Sequence, residues 1–323
     1  MRRSAVGTIT ATFAATILIA CGGSESGEFE PPATPAASDF PAVDGRTLDA
    51  LDESLPDSDL VALPTQLVFD RGLNRYAFGV FTLARELVND AQVALYFASA
   101  KGGPASGPFP ADVETLETPM AFRSMTSAGE SGAPEVAYIV PEVNLDRAGE
   151  WRILAVFKDG EDLSATRISS IVVDKFPAIP STGDRVSKVH TRTAEDVGGD
   201  LEQIDTRNPP DQMHRDDFAD VVGKRPVVIP FATPAFCESR VCGPVVDIAE
   251  QIREEYEGEV VFIHQEVFNE NDPTKGVRRE LKAFNLATEP WLFVIDRNGR
   301  VTKRFEGAFS AGELRKAVEK VVE

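Results

Sequence analysis

Cysteine is scarce in this chain. There are three in 323 residues, Cys21, Cys237 and Cys242, too few for a disulfide-dense secreted scaffold. Positive charge is also short: 33 Lys and Arg stand against 52 Asp and Glu, a formal net charge of −19. That balance argues against nucleic acid as a partner, because binding phosphates needs clustered Lys and Arg. The acidity is read as a device for solubility. The apolar run Ala11–Ala20 is too short to span a bilayer. No Gly-rich phosphate loop occurs, so no organic cofactor is expected. Neither His nor Cys lies between Leu63 and Val173, and the acids and hydroxyls there are scattered, so that stretch carries no catalytic constellation. What remains is ordinary globular composition, 42% hydrophobic and 26% charged, in a length that suits two domains with tails.

The N-terminus reads as an address. Arg2 and Arg3 precede the apolar run, and the pattern of residues 1–20 is that of a signal peptide. Leu18-Ile19-Ala20-Cys21 resembles the bacterial lipobox. The resemblance implies cleavage before Cys21, diacylglyceryl attachment to its sulfur, and a chain held at the extracytoplasmic face of the cell membrane by several acyl chains. Residues 21–60, rich in Ser, Glu, Pro, Ala and Asp without hydrophobic period, are expected to be a flexible tether.

Residues 61–175 show short alternating runs, with candidate strands at Pro64–Phe69, Arg75–Phe81, Ala91–Ala98, Val136–Val143, Trp151–Phe157 and Thr166–Val173. Gly, Asn, Asp and Pro clusters separate them, as in an antiparallel Ig-like β-sandwich. The Gly/Pro-rich stretch Lys101–Thr126 is expected to be a long mobile loop. Residues 176–216, with their Pro, Thr, Asp and Gly, read as a linker, and His190 and His214 within it as exposed loop histidines.

Residues 217–323 alternate strand and helix. Pro226–Phe231 and Val260–Ile263 read as buried strands. In Pro244–Tyr256, Val245, Ile248, Ala249 and Ile252 fall at helical spacing. A further helix is expected over Lys275–Phe284. Trp291–Ile295 turns through Asp296-Arg297-Asn298-Gly299 into Arg300–Phe305. Ser310 and Glu313 form a capping box for a last helix ending at Val322. The order of elements resembles the thioredoxin fold. Cys242-Gly243-Pro244-Val245 matches three of the four positions of that family's Cys-Gly-Pro-Cys signature, and Pro290 stands where the family has its cis-proline.

The second cysteine of the signature is Val245 here, and Cys237 lies upstream instead, giving Cys237-x4-Cys242. On one helix five residues rise about 7.5 Å, whereas bridged Cα atoms lie about 4.4–6.8 Å apart. The helix is therefore expected to begin near Cys242, with Cys237 in the loop before it. The resemblance implies thiol–disulfide exchange with extracytoplasmic proteins that carry thiols or disulfides. The helix dipole, with Arg240 nearby, makes Cys242 the candidate nucleophile and Cys237 its resolving partner. The opposite order stays open, with Cys237 exposed and attacking first, as does a merely structural disulfide. Two further alternatives stand. One is a copper(I) site of Cys237, Cys242 and His264, similar to the Sco family of thioredoxin-fold copper chaperones. The other is a non-catalytic binding protein.

Overall fold

The computed structural model describes residues 29–128, 136–237 and 241–323. Among the described residues, eight strands build the N-terminal half: β1 (Leu60–Pro64), β2 (Gly72–Thr82), β3 (Gln92–Ser99), β4 (Ser106–Pro110), β5 (Asp112–Thr115), β6 (Val136–Leu145), β7 (Gly149–Asp159) and β8 (Asp162–Val173). They form two antiparallel four-stranded sheets, ordered β1-β2-β6-β5 and β4-β3-β7-β8. Tyr76 of the first sheet meets Phe97 of the second edge-on, with ring centroids 5.5 Å apart. β2 is buried continuously from Tyr76 to Val80 rather than alternately, which means that both faces of its sheet are covered. Tyr76 points to the second sheet, while Ala77, with Ala137 and Ile139 of β6, joins the core of the C-terminal half.

Two expectations for this half are corrected. The tether does not run to residue 60. Thr47 accepts a hydrogen bond from the Ala50 N–H and caps α1 (Leu48–Asp52), whose Leu48 and Leu51 pack with Phe40 against Tyr96, Leu154 and Val156. Lys101–Thr126 is not one loop either. It contains β4 and β5, each an edge strand, the position in a sheet where proline does least harm. Near its end comes the short α2 (Met125–Ala128).

The C-terminal half contains α3 (Phe218–Val221), β9 (Val227–Phe231), α4 (Cys242–Glu255), β10 (Val261–Phe262), α5 (Arg279–Ala283), β11 (Trp291–Ile295), β12 (Val301–Glu306) and α6 (Ala311–Val322). The sheet order is β10-β9-β11-β12, with β9 and β10 parallel and the remaining pairs antiparallel. Val228, Leu292 and Val294 face Ile248, Ile252, Leu314 and Val318 of α4 and α6. Val227, Ile229, Phe231 and Phe293 face Phe218, Leu281 and Phe284 on the other side. The capping box of α6 is formed in full: Ser310 Oγ accepts from the Glu313 N–H at 3.1 Å, and Glu313 Oε2 accepts from the Ser310 N–H at 3.3 Å. The helix expected over Lys275–Phe284 shrinks to α5, because Gly276 sits at φ 71° and breaks the helical path.

Residues 176–216 are no loose connection. Ile179 and Val186 enter one C-terminal core and Met213 the other. Pro31–Glu323 is one compact unit, and polar contacts lock its halves together. Arg75 of β2 pairs with Glu313 at 2.6 Å and donates to the Ala308 carbonyl at 2.6 Å. Glu306 accepts from the N–H groups of Leu67 and Val68 at 3.0 and 2.8 Å, and from the Thr288 hydroxyl at 2.8 Å. Gly307 (φ 71°) lies so close to the Thr65 carbonyl that no Cβ fits there.

Burial pushes the Glu306 carboxyl above its ordinary value of 4.5, against the opposing hydrogen bonds from Thr288, Leu67 and Val68. A raised folded-state pKa means that the folded chain holds this proton more tightly than the unfolded chain. The resulting stabilisation is complete below the ordinary value and is lost as pH rises through the raised one. Urea unfolding of wild type and Glu306→Gln between pH 4 and 7 is expected to show wild type losing stability relative to the variant as pH rises. A pH-independent difference would contradict this.

Candidate functional site

β9 ends at Phe231 and feeds Ala232-Thr233-Pro234-Ala235-Phe236 into Cys237. α4 starts at Cys242, and the first helical bond runs from the Val245 N–H to the Val241 carbonyl at 3.0 Å. Cys237 thus lies in the loop before the helix. It is disulfide-bonded to Cys242 with Cα atoms 5.9 Å apart, as folding back of the loop allows and one continuous helix does not. The Cys242 N–H, at the open positive end of α4, points at Cys237 Sγ from 3.3 Å. The two sulfurs are not equivalent: Cys242 is fully buried in the apolar core, whereas Cys237 is partly exposed at its edge. Beside Cys237, the Phe236 ring is 39% exposed and rests edge-on against Phe268.

The other residues singled out from the sequence surround this loop. Gly243 abuts α2: a Cβ there would come within 2.6 Å of Ser127 Oγ. Pro244 is buried in the first turn of α4. The Glu289–Pro290 peptide is cis, and Trp291, which follows it, pairs with Phe231. Pro290 therefore stands at the sheet end from which the cysteine loop departs. Cys21 and Arg240 lie outside the described residues.

Under the loop lies a buried polar cluster that the sequence reading missed. His214 is corrected from an exposed loop residue to a buried one, 2% exposed. Its Nε2 lies 3.2 Å from Asp205 Oδ2 and 3.3 Å from Asp211 Oδ1. The chain buries it because these two carboxylates take over what water would otherwise supply. His190, by contrast, is exposed, with Nδ1 2.6 Å from Asp217. His264, just beyond β10, places Nδ1 2.7 Å from Asp211 Oδ2 and Nε2 3.2 Å from the Ala232 carbonyl. Burial works against charge on His264, but Asp211 and then Asp205 outweigh it and hold the pKa up at about 10. Burial likewise opposes charge on Asp211, yet His264 and His214 keep it well below the usual carboxylate range. Glu266 accepts from the Thr206 N–H and hydroxyl at 2.7 and 2.6 Å, and burial pushes its carboxyl up. The Thr206 hydroxyl in turn accepts from the Ala235 N–H at 3.1 Å, which ties the cluster to the cysteine loop.

Both ring nitrogens of His264 thus have partners, and neither partner is a cysteine. Among the described residues, the metal-capable side chains gathered within 4.8 Å of one another are Asp205, Asp211, His214 and His264. That is not the Cys237, Cys242 and His264 set of the copper reading. Asp211-x-x-His214, with Asp205 six residues upstream, was the available sequence signal.

No family model and no curated protein matches the chain. Among solved structures it is similar to a thiol:disulfide interchange protein of the thioredoxin family from Chlorobium tepidum TLS, at 16% identity and a TM-score of 0.32, over 44% of this chain and 99% of that one. A second Chlorobium tepidum structure, of a thiol:disulfide interchange protein of the DsbE type, aligns at 14% identity and a TM-score of 0.33, over 45% of this chain and 99% of that one. The C-terminal half is thioredoxin-like. Its own strand order, the parallel β9–β10 pair joined through α4, and the β11–β12 hairpin followed by α6 carry that assignment. Among the described residues no helix is long and apolar enough to cross a membrane.

Proposed function

We propose that the chain is a thiol–disulfide oxidoreductase acting on proteins outside the cytoplasm, held to the membrane by lipid on Cys21. The observation that carries the redox reading is the Cys237–Cys242 bond at the start of α4, with one sulfur reachable and the other buried. Of the two role orders open at the outset, exposure favours attack by Cys237. Its thiolate would face the Cys242 N–H and the positive end of the helix dipole, which favour negative charge there.

In the reducing direction, the Cys237 thiolate attacks one sulfur of a substrate disulfide. A Cys237–substrate bond forms, and the other substrate sulfur leaves as a thiolate. The Cys242 thiolate then attacks Cys237 Sγ, closes the internal disulfide and expels the second substrate sulfur. Two electrons pass from the cysteine pair to the substrate. The oxidising direction is the reverse.

Equilibration of the wild-type chain in redox buffers, read by thiol alkylation, tests the reading. A potential above about −300 mV is expected of an exchanging pair, and one below it would mark an inert structural bridge. The anchor is tested separately. Metabolic labelling with palmitate in a bacterial host is expected to mark wild type and miss Cys21→Ala, and equal labelling of both would remove Cys21 as the anchor.

A further inference from the structure

We propose that Asp205, Asp211, His214 and His264 form a structural site for a divalent transition-metal ion, with zinc as the best fit. The four ligand atoms lie within 4.8 Å of one another, and all four residues are buried. The argument begins with charge. Carboxylates in an apolar interior are very costly unless a cation accompanies them. The buried arginines nearby are engaged elsewhere: Arg207 pairs with Asp247 at 2.8 Å, and Arg278 donates to the Phe268 carbonyl and to Asn271 Oδ1. The positive charge must therefore sit among the two imidazoles and the two acids.

The tautomer of His264 sharpens the point. The Ala232 carbonyl only accepts, so Nε2 carries a hydrogen. In a neutral ring Nδ1 is then a lone pair facing the Asp211 oxygen, an arrangement that requires a cation between them. A proton is one solution and a metal ion the other. His214 Nε2 faces both carboxylates while its Nδ1 is buried without a hydrogen-bond partner. Without a metal the facing carboxylates hold the hydrogen on Nε2, and an ion bound there would move it to Nδ1.

Geometry and surroundings fit the metal. A tetrahedral site with bonds of about 2.0–2.1 Å has ligand–ligand edges of roughly 3.3–3.4 Å. The histidine nitrogens lie 3.2, 3.3 and 3.7 Å from carboxylate oxygens, with the two rings facing different oxygens of each acid, so that one oxygen of each must turn toward the ion; the His264–Asp211 contact is the shortest, at 2.7 Å. That last edge must open by roughly 0.6 Å to meet the tetrahedral value. The supporting shell is in place for Asp205, Asp211 and His264, while His214 Nδ1 has no partner. Arg207 N–H and Asp211 N–H hold the oxygens of Asp205 at 2.8 and 2.7 Å, Met213 N–H holds Asp211 at 2.8 Å, and the Ala232 carbonyl orients His264. Metal-bound histidines and carboxylates typically have such partners. Two imidazoles and two carboxylates suit zinc and its divalent neighbours rather than copper(I). Four protein ligands with no solvent-facing position make the site structural rather than catalytic. The ion would staple the 205–214 segment to the end of β10 and, through Ala232, to the root of the cysteine loop. This proposal does not depend on the redox reading.

The test uses the full chain without a polyhistidine tag, expressed in zinc-supplemented medium. About one zinc per chain by mass spectrometry of the metal is expected, with a lower melting temperature after chelation that zinc restores. Cobalt(II) added to the chelated wild type should give the visible absorption bands of tetrahedral nitrogen and oxygen coordination. Binding should be lost in His264→Ala and in Asp211→Ala and kept in Cys237→Ser and Cys242→Ser. Wild type that carries no metal, shows no cobalt bands and melts identically with and without zinc would overturn the proposal, whatever the variants do. So would zinc retained by His264→Ala or lost with a cysteine variant.

Discussion

Cys242→Ala is expected to stop exchange halfway and leave Cys237 joined to its substrate in a stable mixed disulfide. A partner sulfur has to approach the attacked or attacking sulfur in line. Cys237 is accessible for that, whereas Cys242 is enclosed by the core formed with Val241, Val245 and Val246. The Cys242 backbone N–H that supports negative charge on Cys237 survives the substitution, since alanine keeps it. Attack therefore still proceeds, but no second thiolate remains to release the product. Incubation with a disulfide-containing protein should give adducts that separate on non-reducing gels and disappear on reduction. Cys237→Ala should give neither adduct nor turnover. Adducts formed by Cys237→Ala and not by Cys242→Ala would reverse the roles, and turnover retained in both single variants would remove the pair from the chemistry.

That role order could not be read from the chain, because helix-dipole arguments place both cysteines near the same positive end and only burial separates them. Other features were legible for local reasons. The capping box at Ser310 and Glu313 involves residues three apart, and the apolar spacing in α4 is written over a dozen consecutive positions. The edge strands β4 and β5 were hidden by Pro108 and Pro110, which read as loop unless one knows that the strand has a partner on one side only. The end of the supposed tether carried a short signal, Thr47 before Leu48 and Leu51, over too few residues to stand above its polar setting.

The largest misreading concerned residues 176–216. A segment rich in Asp, Pro and Thr suggests a solvated linker, yet Asp205, Arg207, Asp211 and His214 are among the most buried polar side chains of the chain. Several of their partners lie far away in sequence: Arg207 reaches the Phe122 carbonyl and Asp247, and Asp211 reaches His264. Composition reports whether polar groups are present, not whether a distant segment will satisfy them. The same holds for Arg75 and Glu313, 238 positions apart. The two halves behave as one body because such pairs cross between them, and the segment that looked like a spacer supplies several.

The pair with the greatest expected effect on stability is Arg207–Asp247. Asp247 lies on α4, five positions after Cys242. Its side chain is 1% exposed, and that of Arg207 is 5% exposed. Arg207 Nε meets Asp247 Oδ1 at 2.8 Å, and its other nitrogens donate to the Pro209 and Phe122 carbonyls at 2.7 and 2.6 Å. Asp247 Oδ2 accepts from the Ser124 N–H at 3.0 Å. One ion pair thus clamps α4 to both the 207–209 segment and the N-terminal half. Asp247→Ala leaves the guanidinium buried without its counter-ion, for which a loss of about 3–5 kcal/mol is expected. That is a large share of the roughly 5–15 kcal/mol by which domains are stable. The size of the loss reflects a stranded charge rather than the worth of the bond itself. Arg207→Met combined with Asp247→Leu should therefore recover well over half of it, since apolar replacement of both partners strands no charge. Urea unfolding of the two singles and the double measures this directly. Singles that each cost under about 1 kcal/mol would place the pair in the class of solvated surface bridges. A double variant as unstable as the sum of the singles would mean that the side chains act independently, and the clamp on α4 would have to be sought in the packing around it.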